Sequence, residues 1–218
     1  MKKILLAFLF LLTYQLAIGQ ITYNASTMTE LRNAIISANS DGDVSIINLS
    51  GDSYTVGRFG NGPDGGGIAF PEITENFDLI INGDESSITP TTTGTYRLFY
   101  VTSSGRLILN KLFLYDGQPE DNYAAGAVYN EGYLEANNVL FQGHSSGGND
   151  GNNAGAIYND GDAYFRTCEF VDNIAVGLGG LRGGAIFNTG VSSTLTVEQC
   201  TFYQNSAIGR GSALGIND

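Results

Sequence analysis

The chain of 218 residues has no tryptophan, only four prolines, two cysteines and a single histidine, against 30 glycines. Positive charge is also scarce, since ten lysines and arginines face 22 aspartates and glutamates. The lack of proline together with abundant glycine indicates many tight turns between short strands. The excess of negative charge argues against nucleic acid or an anionic membrane as a partner.

No apolar run is long enough to span a membrane. The chain begins with Lys2-Lys3, an apolar stretch from Ile4 to Leu12 and the small residues of Ala17-Ile18-Gly19, which is the pattern of a secretory signal peptide. The alternative is a membrane anchor, which needs about 20 apolar residues, more than this stretch contains. We therefore predict a signal peptide that is cleaved after Gly19. Loss of the two lysines takes the formal charge from −12 to −14.

The strongest positive signal is a repeat of 29 residues, marked by four asparagines: Asn130, Asn159, Asn188 and Asn217. The first three end segments of the form Gly-Ala-Val/Ile-Tyr/Phe-Asn. A fixed period of this length is typical of a solenoid, in which each repeat packs on its neighbours. The sequence therefore predicts an all-β solenoid, and this architecture leaves the chemistry open.

One amphipathic helix is predicted before the strands. Thr27-Met-Thr-Glu30 matches a capping box. The apolar residues that follow lie on one helix stripe: Leu31, Ala34, Ile35 and Ala38. Such a helix can cover the open first edge of a solenoid. We divide the chain into a signal peptide (1–19), the cap helix with irregular coils (20–95) and regular coils (96–218).

Alternation along each short strand predicts which side chains face the core. One set of inward residues is Val128, Ile157, Ile186 and Leu214, and a second is Phe141, Phe170 and Phe202. Large and small residues exchange places between coils, with Leu134 and Ala136 in one coil aligned with Ala163 and Phe165 in the next. A packed interior of constant cross-section requires this exchange.

Two side-chain columns are predicted from the repeat. Asn130, Asn159, Asn188 and Asn217 are expected to stack as an amide ladder. The residues before the first three, Tyr129, Tyr158 and Phe187, are expected to point outward as an aromatic ridge that binds sugar rings or a protein. The alternative is that these rings stack on each other or lie under the loop from Gly143 to Asn153.

The two cysteines, Cys168 and Cys200, each precede a repeat phenylalanine by two residues. They therefore occupy equivalent positions in consecutive coils, about 4.8 Å apart. An in-register parallel pair suits the disulfide dihedral poorly. We predict two buried thiols, with a bridge as the alternative.

The repeat, with Gly183-Gly-Ala-Ile186 and a later Phe-x-x-Asn, resembles right-handed parallel β-helix surface proteins, including polymorphic outer-membrane proteins. Leu31-Arg-Asn-Ala-Ile35 resembles their CSLREA-type N-terminal region, although Thr29 stands where that region has cysteine and Asn33 where it has glutamate. The resemblance covers most of residues 26–217. It implies a right-handed parallel β-helix that is secreted or held at a bacterial cell surface or outer membrane.

Many parallel β-helices are polysaccharide lyases or hydrolases, which need clustered carboxylates as acid and base. The acidic residues closest in sequence flank turns, where they are common: Asp116, Glu120, Asp121, Asp160 and Asp162. The lone histidine, His144, has no histidine partner and falls at a predicted turn. The loop Gly147–Asn153 lacks the ligand pattern of a calcium loop. We therefore predict no catalytic residues, no metal and no cofactor.

We expect an exported, non-catalytic protein that acts in adhesion or interaction at the cell surface, with surface glycans or proteins as partners. The alternative is a carbohydrate-active enzyme or a sugar-binding module. The sequence from Gly211 begins another coil, so we expect either a longer protein or assembly through this end.

Overall fold

The computed structural model describes residues 19–92, 94–120, 122–147, 153–176, 182–190, 192–208 and 211–217. The single helix among them, α1, spans Met28–Asp41. It begins with the predicted capping box, in which the Thr27 side chain accepts from the Glu30 amide at 3.2 Å. It ends at Gly42, whose φ of 73° is left-handed and suits glycine. Its predicted apolar stripe is buried against the first strands, so the cap helix is confirmed.

The strands of the first half are β1 (Gln20–Ala25), β2 (Val44–Leu49), β3 (Ser53–Val56), β4 (Gly60–Asn61), β5 (Gly67–Ile68), β6 (Leu79–Pro90), β7 (Phe99–Val101), β8 (Arg106–Tyr115), β9 (Val128–Asn130) and β10 (Tyr133–Asn137). Those of the second half are β11 (Leu140–Gln142), β12 (Ser145–Gly147), β13 (Asn153–Ala154), β14 (Ile157–Asn159), β15 (Asp162–Arg166), β16 (Glu169–Val171), β17 (Ile174–Val176), β18 (Arg182–Gly183), β19 (Ile186–Asn188), β20 (Thr194–Glu198), β21 (Thr201–Tyr203), β22 (Ser206–Ala207) and β23 (Leu214–Ile216).

These strands pair in parallel, one coil on the next, as a solenoid requires. The longest sheet follows chain order as β1-β2-β6-β8-β10-β15-β20, and a second sheet stacks β7, β9, β14, β19 and β23. The short pair β4 and β5 is an antiparallel hairpin. The all-β parallel solenoid predicted from the repeat is therefore confirmed.

The long sheet bends at one corner in each coil. The corner residues share a left-handed backbone with φ between 51° and 55°: Lys111, Asn138, Thr167 and Gln199. A non-glycine residue reaches this region at a cost, so neighbouring coils must hold it there.

The interior is a column of stacked apolar side chains. Phe141, Phe170 and Phe202 lie face to face, with centroids 4.8 and 4.9 Å apart, and Phe165 meets the first two edge-on. Leu134 pairs in register with Ala163, and Ala136 with Phe165, as predicted. Two inward residues of the last coil are less buried than their counterparts: Phe202 is partly buried against the core, and Leu214 is 38% exposed. Both lack a following coil among the described residues.

Three further details differ from expectation. Strand β1 was not predicted, yet it pairs with β2 along six residues. The segment Asn82–Asp84 has the composition of a turn, yet β6 runs through it with an irregularity in its pairing to β8. Both cysteines are free thiols, but Cys200 is only half-buried, so the prediction of burial holds for Cys168 alone.

Candidate binding face

The predicted aromatic ridge is a packed column rather than an open surface. Tyr100, Tyr129 and Tyr158 stack with centroids 5.0 and 4.7 Å apart, and Phe187 lies 5.7 Å from Tyr158. Phe187 is fully buried, so its prediction as an exposed residue is wrong. Burial is the main cause that raises the pKa of the Tyr129 and Tyr158 hydroxyls. The faces of these rings are therefore covered by one another, which is the alternative of rings that stack on each other.

A buried arginine packs against this column, and a residue of a hairpin pairs with it. The Arg97 guanidinium lies 4.9 Å from the Tyr129 ring centroid and 5.6 Å from that of Tyr100. Its one ion pair is with Asp64 at 2.7 Å, in the connection between β4 and β5. Arg97 is fully buried, and its Nε and Nη1 have no hydrogen-bond partner among the residues that the structure describes. Cation–π contact with the rings replaces part of the lost hydration.

The asparagine ladder contains three residues. Asn130 donates to Asn159, and Asn159 donates to Asn188, in both cases from Nδ2 to Oδ1 at 2.6 Å. The fourth predicted member is wrong, because the register places Ile216 opposite Asn188 and leaves Asn217 one position further along. Asn159 also donates to the carbonyl of Gly161 at 2.9 Å. The ladder thus satisfies backbone groups at the turn after each strand.

The lone histidine belongs to a second ladder, in which Asn173 and Asn205 occupy the same place in the next two coils. The amide of Gly117 donates to Nδ1 of His144 at 3.0 Å, so the ring proton is on Nε2, which donates to the Leu114 carbonyl at 3.0 Å. Complete burial lowers the pKa of His144 to about 3. His144 is therefore a neutral structural residue in the core.

Of the acidic residues considered for catalysis, Asp160 and Asp162 are exposed and border one shallow pocket. Glu120 forms an ion pair with Arg58, and Asp116 is exposed. Asp121 and part of the loop from Gly143 to Asn153 lie outside the described residues.

We call the outward side chains of β8, β10, β15 and β20 in the long sheet the outer face. It has three columns in register across β8, β10, β15 and β20. The first column is Arg106, Tyr133, Asp162 and Thr194. The second is Ile108, Glu135, Tyr164 and Thr196. The third is Asn110, Asn137, Arg166 and Glu198.

A pocket of about 250 Å³ lies on this face. Its lining is Tyr133, Glu135, Asn137, Tyr164, Phe165, Arg166, Thr196 and Glu198. Tyr164 is 37% exposed, and its register partner on the following coil is the smaller Thr196. The step from a ring to a short side chain produces the concavity.

An aromatic stack forms one wall of the pocket. The Arg106 guanidinium lies 4.0 Å from the Tyr133 ring centroid, and the Tyr164 ring lies 5.5 Å away on a tilted plane. Arg106 is held in turn by Asp78 at 2.6 Å. Tyr133 is thus fixed by its neighbours, while Tyr164 keeps exposed surface.

Polar groups line the rest of the pocket. Glu135 accepts from the Tyr133 hydroxyl at 2.7 Å and from the Asn137 amide at 2.9 Å. The hydrogen bond from Asn137 is the main cause that lowers the pKa of Glu135, so the carboxylate stays ionised. Arg166 donates to Glu198 at 3.0 Å. A carboxylate, an amide and an ion pair therefore surround one exposed ring.

The asparagine column continues past the pocket toward the N-terminus as a third ladder. Asn137 donates to Asn110, Asn110 to Asn82 and Asn82 to Asn48, each from Nδ2 to Oδ1 at 3.0 or 3.1 Å. All four residues are partly exposed. Asn110 and Asn82 each use one N–H in the ladder and keep the other, whereas Asn137 gives its second N–H to Glu135.

Sequence reasoning missed these residues although the signal was present. Leu134 and Ala136 were assigned inward, so alternation already placed Tyr133, Glu135 and Asn137 outward. The pocket itself joins residues from β10, β15 and β20, and only the register brings them together. No group of three or more metal-binding side chains occurs among the residues that the structure describes.

Within those same residues, no helix combines the length and apolar character that a membrane span needs. Comparison with protein-family models, with curated proteins and with solved structures found no match to this chain. The proposal that follows therefore depends on the geometry of the outer face.

Proposed function

We propose that this chain is an exported, non-catalytic β-solenoid that acts in adhesion or interaction at a cell surface, through its outer face. The observation that supports this most is the exposed Tyr164, surrounded by fixed polar groups on the outer face. A rigid strand scaffold positions such a ring without an ordering cost on binding. The signal-peptide pattern at residues 1–19 supports export.

Binding accounts for the face better than catalysis does. A general acid of a glycosidase needs a raised pKa, whereas hydrogen bonds lower the pKa of Glu135. Glu198, the other carboxylate in the pocket, is engaged by Arg166. The two acids serve as fixed acceptors and not as a proton donor and its partner.

The test compares binding to whole cells and to extracted surface material for the full chain, exported with its own leader. Tyr164→Ala should reduce binding roughly tenfold, because an exposed aromatic anchor carries much of an interface's energy. Tyr203→Ala is the matched control, since Tyr203 is 58% exposed on another strand, β21. Equal binding by wild type and Tyr164→Ala would contradict the proposal. N-terminal sequencing of the exported chain should start at Gln20.

A further inference from the structure

The pocket at Tyr164 has the dimensions and chemistry of a sugar subsite. Its volume of about 250 Å³ suits one pyranose ring better than a folded partner's surface. An amphipathic ring such as tyrosine can pack against the C–H face of a sugar and hydrogen-bond at its edge. On this ground, and resting on the function proposed above, we propose that the outer face binds an uncharged glycan with one residue seated at Tyr164.

Glu135 is prepared to accept sugar hydroxyls. Two donors hold it, the Tyr133 hydroxyl and the Asn137 amide, on separate carboxylate oxygens. A carboxylate has about four acceptor sites, so two remain for a ligand. An oriented, ionised acceptor forms stronger hydrogen bonds than a neutral one. The Arg166 guanidinium adds donors on the opposite side, next to Glu198.

Charge selects against acidic polysaccharides. The pocket holds two carboxylates, Glu135 and Glu198, against the single cation Arg166. A second shallow pocket of about 500 Å³ borders Tyr133 and adds three more carboxylates: Glu131, Asp160 and Asp162. Arg106 is its one cation and is paired with Asp78. A uronate or sulfate placed here would be repelled, whereas a neutral hydroxyl-rich chain would not.

The amide ladder extends the site for longer ligands. Asn110 and Asn82 continue from Asn137 along the axis, one residue per coil. Each of these two amides keeps one N–H outside the ladder while its carbonyl oxygen accepts from the next asparagine, and this arrangement recurs at the spacing of stacked strands. A glycan chain that begins at Tyr164 can therefore run over the ladder, and affinity should grow with chain length.

The experiment measures affinity for immobilised neutral, uronate-containing and sulfated glycans, and for oligosaccharides of increasing length, at low and high salt. We expect binding to a neutral glycan that is nearly independent of salt and is weakened roughly tenfold by Tyr164→Ala. Glu135→Gln should weaken it too, while Tyr203→Ala should not. Asn110→Ala should weaken only the longer ligands. Circular dichroism of each variant checks that the solenoid is intact.

The outcomes separate this inference from the proposed function. Salt-sensitive binding to acidic glycans, or Tyr164-dependent binding to a surface protein with no neutral glycan bound, would overturn the inference and leave the binding function standing. Cell binding that is unaffected by Tyr164→Ala would overturn both. Equal affinity for short and long neutral glycans would refute the part assigned to the asparagine ladder.

Discussion

His144 and Asn173 make the same two backbone hydrogen bonds in adjacent coils. Asn173 accepts from the His144 amide at 3.0 Å and donates to the Phe141 carbonyl at 3.0 Å. His144 accepts from Gly117 through Nδ1 and donates to Leu114 through Nε2. The neutral imidazole thus accepts and donates the same backbone hydrogen bonds as an asparagine amide. A protonated ring would carry an N–H at Nδ1, and this donor would face the N–H of Gly117, which is also a donor.

This equivalence predicts that the free energy of unfolding depends on pH. The pKa of His144 is lowered to about 3 in the folded chain, against 6.5 when exposed, so the unfolded state alone takes up the proton as pH falls. The free energy of unfolding should therefore drop below pH 6.5 by about 1.4 kcal/mol per unit. His144→Asn restores the ladder residue and should remove this component. Denaturant unfolding at pH 7 and pH 5 should show about 2 kcal/mol more loss for wild type. Equal losses would contradict the assignment.

The central ladder residue should be the most costly to remove. Asn159→Ala deletes the bonds to Asn130 and Asn188 and leaves buried polar groups unsatisfied, at a cost of about 2–4 kcal/mol. Asn205→Ala is the control, because Asn205 is only partly buried in the last turn of its own ladder. Chemical denaturation of both variants measures the difference. A larger loss for Asn205→Ala would show that ladder position does not set the cost.

Mutation of Asp64 should reduce the stability of the fold more than mutation of its ion-pair partner Arg97. Asp64→Asn leaves a buried guanidinium without its carboxylate and should cost about 3 kcal/mol. Arg97→Met fills the space between the rings without charge and should change stability by less than about 1.5 kcal/mol. The double variant should match Arg97→Met. If Arg97→Met is as damaging as Asp64→Asn, the ion pair itself stabilises the fold.

The two thiols should differ in reactivity. Burial raises the pKa of Cys168 to about 12, and its side chain is 1% exposed, whereas Cys200 is half-buried. Alkylation of the native chain at pH 8, read by mass spectrometry, should modify Cys200 and spare Cys168 until unfolding. Cys200→Ser should abolish the native reaction. Comparable rates at both cysteines would refute the difference.

Particular residues show how far sequence reasoning reached. The interval of 29 identified the ladder from Asn130 to Asn188, yet the same interval misled at Asn217. The last coil has 32 residues between Phe170 and Phe202 but only 28 between Ile186 and Leu214. Because the insertion and the deletion in this coil nearly cancel, an asparagine still falls 29 residues after Asn188. The hydrogen-bond register is shifted by one residue and pairs Asn188 with Ile216 instead.

The sequence alone determined the solenoid, the capping helix and the inward residues of the complete coils, because strand alternation and helix periodicity are local properties of the chain. Tertiary structure decided which outward residues are accessible. Tyr129 and Tyr133 both point away from the core. Arg97 and the hairpin enclose Tyr129, whereas Tyr133 lies beside the pocket of the outer face. These two side chains are four residues apart, but their environments differ because their neighbours come from other coils. A local sequence pattern does not show which residues those neighbours are.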